Sequence, residues 1–195
     1  MKRLLSRATY TLRVSSSTAS KHALRIALAL AVFASVLASR APFVLSAPAT
    51  ACTAPEYHQF DFWIGKWSVS DRRSHHFAGT NDITRELNTC VLQEHWVGRR
   101  GTRGMSFNIY DSSSRRWHQT WVDSNGYLLV LNGGLTGHSM VMTGMAPGND
   151  GKIQLQRIEW TPQADGSVRQ HWTSSEDNGK SWSDAFDGIY KKSPG

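Results

Sequence analysis

The first 49 residues contain no aspartate or glutamate. They hold seven of the chain's 22 lysines and arginines (Lys2, Arg3, Arg7, Arg13, Lys21, Arg25 and Arg40), so the formal net charge of +7 belongs wholly to this leader. The remainder carries 15 basic residues against 15 acidic ones. That balance excludes the clustered basic domain that a nucleic-acid partner requires. The pairs Arg72-Arg73, Arg99-Arg100 and Arg115-Arg116 are short and fall at predicted strand ends or loops. Long hydrophobic runs are also missing. Ile26 to Leu37 is apolar apart from Ser35, well short of the ~20 residues that cross a bilayer, so no stable membrane span is expected after processing. There is no His-Glu-x-x-His, no Cys-x-x-Cys and no Gly-x-Ser-x-Gly. No metal, cofactor or nucleophile elbow is therefore predicted. No internal repeat, low-complexity segment or amphipathic helix of normal length follows the leader, and nothing sets an oligomeric state.

A basic start, a short apolar core and the small-x-small exits Ala47-Pro48-Ala49 and Ala49-Thr50-Ala51 make residues 1–49 a secretory signal peptide. The expected address is export, to the periplasm or beyond. The Ser-, Thr- and Arg-rich start also fits a mitochondrial presequence. Residues 50–195 form one domain. It contains all eight tryptophans, each able to bury ~150–250 Å², so its core should form without metal or cofactor. The two cysteines, Cys52 and Cys90, have three fates: a disulfide permitted by an oxidising compartment, two free thiols, or a lipid on Cys52.

His58 to Trp67 (His-Gln-Phe-Asp-Phe-Trp-Ile-Gly-Lys-Trp) opens the mature chain. Phe60, Trp63, Ile64 and Trp67 recur at helical spacing, which predicts a short helical plug that closes one end of a barrel and runs into the first strand. Alternating segments follow around Ile83, Leu92, Met105, Trp117, Val168 and Phe186, and apolar runs at Tyr127–Leu131 and Met140–Met145. Asn125-Gly126, Asn132-Gly133-Gly134, Asp150-Gly151, Asp165-Gly166 and Asn178-Gly179 separate them. Such pairs supply the positive φ of tight hairpins. The predicted class is all-β: a single antiparallel meander β-barrel of about ten strands.

A meander entered through Gly65-Lys66-Trp67 resembles the calycin superfamily, which contains lipocalins, fatty-acid-binding proteins and nitrobindins. The resemblance implies that the tryptophan packs across the closed end, with Lys191 or Lys192 supplying a basic side chain over it. The wider pattern comprises Phe60 to Trp67, Cys90-Val91-Leu92-Gln93-Glu94, Tyr110-Asp111, Trp117 to Asp123 and Phe186-Asp187-Gly188-Ile189-Tyr190. It is similar to an exported bacterial family, the domain-of-unknown-function 1579 proteins, and implies a fold and an address but no activity. Ser175 to Trp182 resembles a sialidase Asp-box, read here as a rigid hairpin turn in which Asp177 caps amides and Trp182 packs beneath.

Strand parity places candidate site residues, because alternate side chains face opposite sides. Gln119 shares a face with Trp117 and Trp121, Gln170 with Val168 and Trp172, Glu94 with Leu92 and Trp96, and Arg85 with Ile83 and Leu87. With the aromatic face inward, Arg85, Glu94, Trp96, Gln119, Trp121, Gln170 and Trp172 line the interior. A few converging polar groups in an apolar concavity describe a small-molecule site. The expected partner is a small apolar or aromatic ligand, hydrogen-bonded by Gln119 and Gln170 and oriented by an Arg85–Glu94 pair. His95, His118 and His171 fall on the outer face, whereas His138 shares parity with Met140 and Met142 and could face in. The Ile153–Trp160 segment switches apolar parity midway, as a β-bulge would. Two alternatives remain. One is an isomerase, lyase or hydrolase using Glu94 as general acid or base; the other is a non-catalytic envelope module with a filled interior.

Overall fold

The computed structural model describes residues 52–148 and 150–193; the predicted leader, 1–49, lies outside them. Ten strands run as a meander: β1 (Gly65–Asp71), β2 (Phe77–Glu86), β3 (Val91–Gly98), β4 (Arg103–Asp111), β5 (Arg116–Asp123), β6 (Leu128–Thr136), β7 (Ser139–Pro147), β8 (Ile153–Pro162), β9 (Val168–Ser175) and β10 (Ser183–Lys192). Each pairs antiparallel with the next, and β1 pairs with β10 to close the barrel. The turn chemistry explains the hairpins. Asp111, Asp123, Asp165 and Asp177 each accept an amide hydrogen bond from the turn they begin (2.9, 2.8, 3.0 and 2.8 Å). Gly126 and Gly166 both take φ 79°, which side chains resist. Asp177 is held at about 2 by hydrogen bonds from Ser181 and then Ser175. Trp182 packs against the turn, donating to the Gly179 carbonyl (3.1 Å), and stays 39% exposed.

Before β1 lie two short 3-10 turns, Pro55–His58 and Asp61–Trp63, where the sequence spacing predicts a single helical turn. Phe60 and Trp63 are fully buried and stacked, with centroids 4.9 Å apart. Phe60 meets Trp117 and Trp160 edge-on at 5.7 and 5.2 Å. The Trp67 Nε1 donates to the Trp63 carbonyl (2.8 Å), and Lys192 Nζ sits 3.8 Å from the Trp67 ring centroid while donating to the Ile64 carbonyl. A Cys52–Cys90 disulfide (Cα–Cα 5.1 Å) ties this segment to the β2–β3 turn. In that turn Leu87, Asn88 and Thr89 all have positive φ, so Leu87 leaves the strand and stands exposed instead of facing inward with Arg85.

Two strands turn some of their apolar residues outward. In β4 the buried side chains are Ser106 and Asn108, while Met105 and Phe107 are 39% and 49% exposed. In β8 the register is continuous and no bulge intervenes. Gln154, Gln156, Ile158 and Trp160 form one inward face, and Ile153 and Leu155 point away. His138 lies exposed in the β6–β7 turn rather than inside. His118 and His171 bond outer neighbours, to Asn132 and Thr120 and to Asp184 respectively.

Candidate ligand-binding site

A cavity of about 260 Å³ opens within the barrel, lined by Glu94, Trp96, Gln119, Trp121, Leu129, Ile158, Trp160, Gln170, Trp172, Ala185, Phe186 and Tyr190. Six of the seven side chains predicted from parity meet here, from three strands. β3 brings Glu94 and Trp96, β5 Gln119 and Trp121, and β9 Gln170 and Trp172. The deeper ones (Glu94, Gln119, Gln170) are buried, and the three tryptophans beyond them are partly exposed. Trp160 is shared with the Phe60–Trp63 cluster, so that aromatic cluster lies against the cavity floor.

Arg85 is the exception. It sits on the inward face of β2 but two residues beyond Ile83, and Ile83 is the residue opposite Glu94. This places Arg85 at the barrel end, where its guanidinium pairs with Asp61 and donates to the Thr89 carbonyl (2.9 Å). The expected Arg85–Glu94 pair is replaced by two separate arrangements, because register separates the two groups along the strand.

Glu94 is held by side chains that alternation alone did not single out. Asn81 Nδ2 donates to one carboxylate oxygen (2.7 Å) and Ser106 Oγ to the other (2.6 Å). From Ser106 the network continues through Asn108 Nδ2 (2.9 Å), and Gln119 Nε2 donates to Asn108 Oδ1 (2.8 Å). In the other direction Asn81 Nδ2 reaches the Tyr190 hydroxyl (3.5 Å), which donates to Gln170 Oε1. Trp172 Nε1 donates to Gln156 Oε1 (2.7 Å). Hydrogen bonds thus join inward polar groups of β2, β3, β4, β5, β9 and β10. Such pairing is what buried polar groups require. It also meets part of the expectation for a filled barrel, although the cavity itself does not.

Electrostatics single out Glu94. Burial pushes its carboxyl up from 4.5 to about 7, against the lowering hydrogen bonds from Ser106 and Asn81. Burial, and then the Glu94 charge, push the Tyr190 phenol well above its usual value. Among the described residues, the buried Trp63 Nε1, Asn81 Oδ1 and Trp160 Nε1 have no hydrogen-bond partner, and no cluster of three or more metal-ligating side chains occurs. No described helix is long and apolar enough to cross a membrane.

Fold and site together define a closed antiparallel barrel with a tryptophan-walled, polar-floored cavity. No protein-family model matches the chain, and no curated protein matches it. The resemblance to exported bacterial proteins of unknown function therefore rests on the sequence motifs alone.

Proposed function

We propose that this protein is an exported, calycin-like barrel that binds one small, largely apolar or aromatic molecule in its cavity. The observation that carries the reading is convergence: three partly exposed tryptophans and three buried polar side chains from separate strands line one 260 Å³ space. That volume lies near the lower end for ligand pockets (roughly 300–1,000 Å³), which favours a single-ring molecule. Gln119 and Gln170 orient it, and the Phe60–Trp63 turn acts as the plug of the closed end. The Cys52–Cys90 disulfide supports an oxidising compartment and so an exported protein, periplasmic or secreted.

Native mass spectrometry of the purified protein is the test, read beside quenching of tryptophan fluorescence. The expected result is extra mass that dissociates on denaturation, with quenching weakened about tenfold in Trp121→Ala and Gln119→Ala. Unchanged affinity in both variants sinks the reading. A second reading, proton transfer by Glu94, is favoured by its position on the cavity wall and its value of about 7. It predicts turnover that Glu94→Gln abolishes while the fold persists.

A further inference from the structure

The cavity wall is chemically lopsided. Five of its side chains are indoles or a phenyl ring (Trp96, Trp121, Trp160, Trp172 and Phe186), and none is arginine, lysine or histidine. Its one ionisable group within the ordinary range is the Glu94 carboxylate, buried with no cation beside it. Asn81 and Ser106 take two of the roughly four positions at which a carboxylate accepts hydrogen bonds, which leaves two. Gln119 adds to this. Its amide nitrogen donates to Asn108 Oδ1 (2.8 Å), and its Oε1 accepts from no described residue. Gln170 Nε2 is the opposing donor on the wall, and the Trp160 N–H is buried away from the open volume. A carboxylate desolvated by its surroundings is normally balanced by a positive charge. Aromatic faces grouped around a carboxylate attract a cation through the ring quadrupole as well as through the charge.

A neighbouring depression points the same way. It shares Trp172 and Ala185 with the cavity and is lined by Asp123, Asp150 and Asp184, and by no basic side chain. Lys152 pairs with Asp150, and Arg73 and His171 pair with Asp184. Asp123 has no cationic partner among the described residues, and its Oδ1 accepts turn amides from Asn125 and Tyr127. Asp123 is thus the one rim carboxylate without a cation beside it among the described residues, and a net negative charge there favours the approach of cations.

We propose that the cavity takes a small organic amine as its ammonium ion, with the nitrogen at Glu94 and the apolar body among Trp96, Trp121, Trp160 and Trp172. This rests on the ligand-binding reading above and narrows it to one chemical class. The elements around Glu94 bring it one titratable group, the Tyr190 phenol of β10, which stays protonated. β2 brings Asn81 and Ile83, β4 brings Ser106, and Gln170 of β9 reaches it through Tyr190. Bound ammonium favours the ionised carboxylate, so binding releases a proton near neutrality and weakens as Glu94 protonates.

Isothermal titration calorimetry with 2-phenylethylamine, 2-phenylethanol and phenylacetate tests this, using one aromatic frame with a positive, neutral or negative head. At about pH 8 the amine should bind at least tenfold more tightly than the alcohol, and phenylacetate most weakly. In Glu94→Gln, the nearly isosteric neutral change, the amine should lose at least tenfold more affinity than the alcohol, so that its advantage vanishes. Near pH 6.5, heats in buffers of different ionisation enthalpy should show proton release with the amine and none with the alcohol. Equal or tighter binding of the alcohol overturns the amine proposal and leaves a neutral-ligand barrel standing. An amine preference that survives Glu94→Gln overturns the role of Glu94. No binding of any of the three removes the proposal together with the ligand-binding reading.

Discussion

The Trp121 indole occupies the space in which a side chain at Gly104 would stand: a Cβ there would come within 2.2 Å of the ring. The two lie on neighbouring strands, Gly104 opposite Asp123 and Trp121 opposite Ser106, so the ring leans across the bare backbone of β4. Gly104→Val should drive the indole off the wall and into the cavity. A loss of about 1–3 kcal/mol in urea unfolding is expected from such overpacking. Gly134, whose Cβ would meet nothing within 4 Å, is the control. Gly134→Val should stay within about 0.5 kcal/mol of the parent.

Glu94 and Asp187 should set opposite flanks of the pH–stability profile. The Glu94 value is about 7 in the folded protein against 4.5 ordinarily, so its contribution is fully present below about 4.5 and is lost as pH rises through about 7. The difference is on the order of 3 kcal/mol, and Glu94→Gln should abolish this decline between about pH 4.5 and 7. For Asp187, burial alone would raise the carboxyl, but hydrogen bonds and charge from Arg169 and Arg72 outweigh it and hold it at about 2. Its contribution is present above the ordinary carboxylate range and is lost as pH falls towards about 2. Urea midpoints across pH, for the parent and Glu94→Gln, give the answer. Equal slopes in the two proteins between about pH 4.5 and 7 would contradict the assignment.

The Cys52–Cys90 bridge closes a loop of 38 residues, which on the chain-entropy account contributes about 4 kcal/mol. Cys90→Ser should lower the melting temperature by about 10 °C. Far-ultraviolet circular dichroism should nonetheless still report the barrel, because the β2–β3 pairing of eight residue pairs does not involve the cysteines. A variant melting at the parent temperature would show that the bridge adds nothing.

Much of this architecture is legible in the chain. Asn125-Gly126, Asp150-Gly151, Asp165-Gly166 and Asn178-Gly179 marked hairpins, whereas Asn132-Gly133-Gly134 lies inside β6, paired with β5 and β7, and the turn falls at Gly137-His138. Parity on β3, β5 and β9 placed Glu94, Gln119 and Gln170 beside their tryptophans because those strands pair an unmistakable aromatic face with a polar one. Parity misled where hydrophobicity and burial part company. Met105 and Phe107 lie outside because Ser106 and Asn108 are needed inside, against Glu94 and Gln119. The β8 residues Ile153 and Leu155 mimic a bulge because Gln154 and Gln156 take the inward positions. Arg85 has the expected face but the wrong height, since a strand pattern records side and not distance along the barrel axis. Asn81 and Tyr190 carried no local signal, as their roles arise from neighbours 13 and 109 residues apart in sequence.

The pairing of Trp67 with Lys192 joins the first strand to the last. Until β10 has been made and docked, β1 and β9 are both bare edges, each able to recruit a strand from another molecule. The barrel is therefore a structure that the ribosome cannot finish piecemeal. A chain that has not yet added β10 keeps two unpaired edges, and a stop ahead of Ser183 leaves an open sheet in place of a closed barrel.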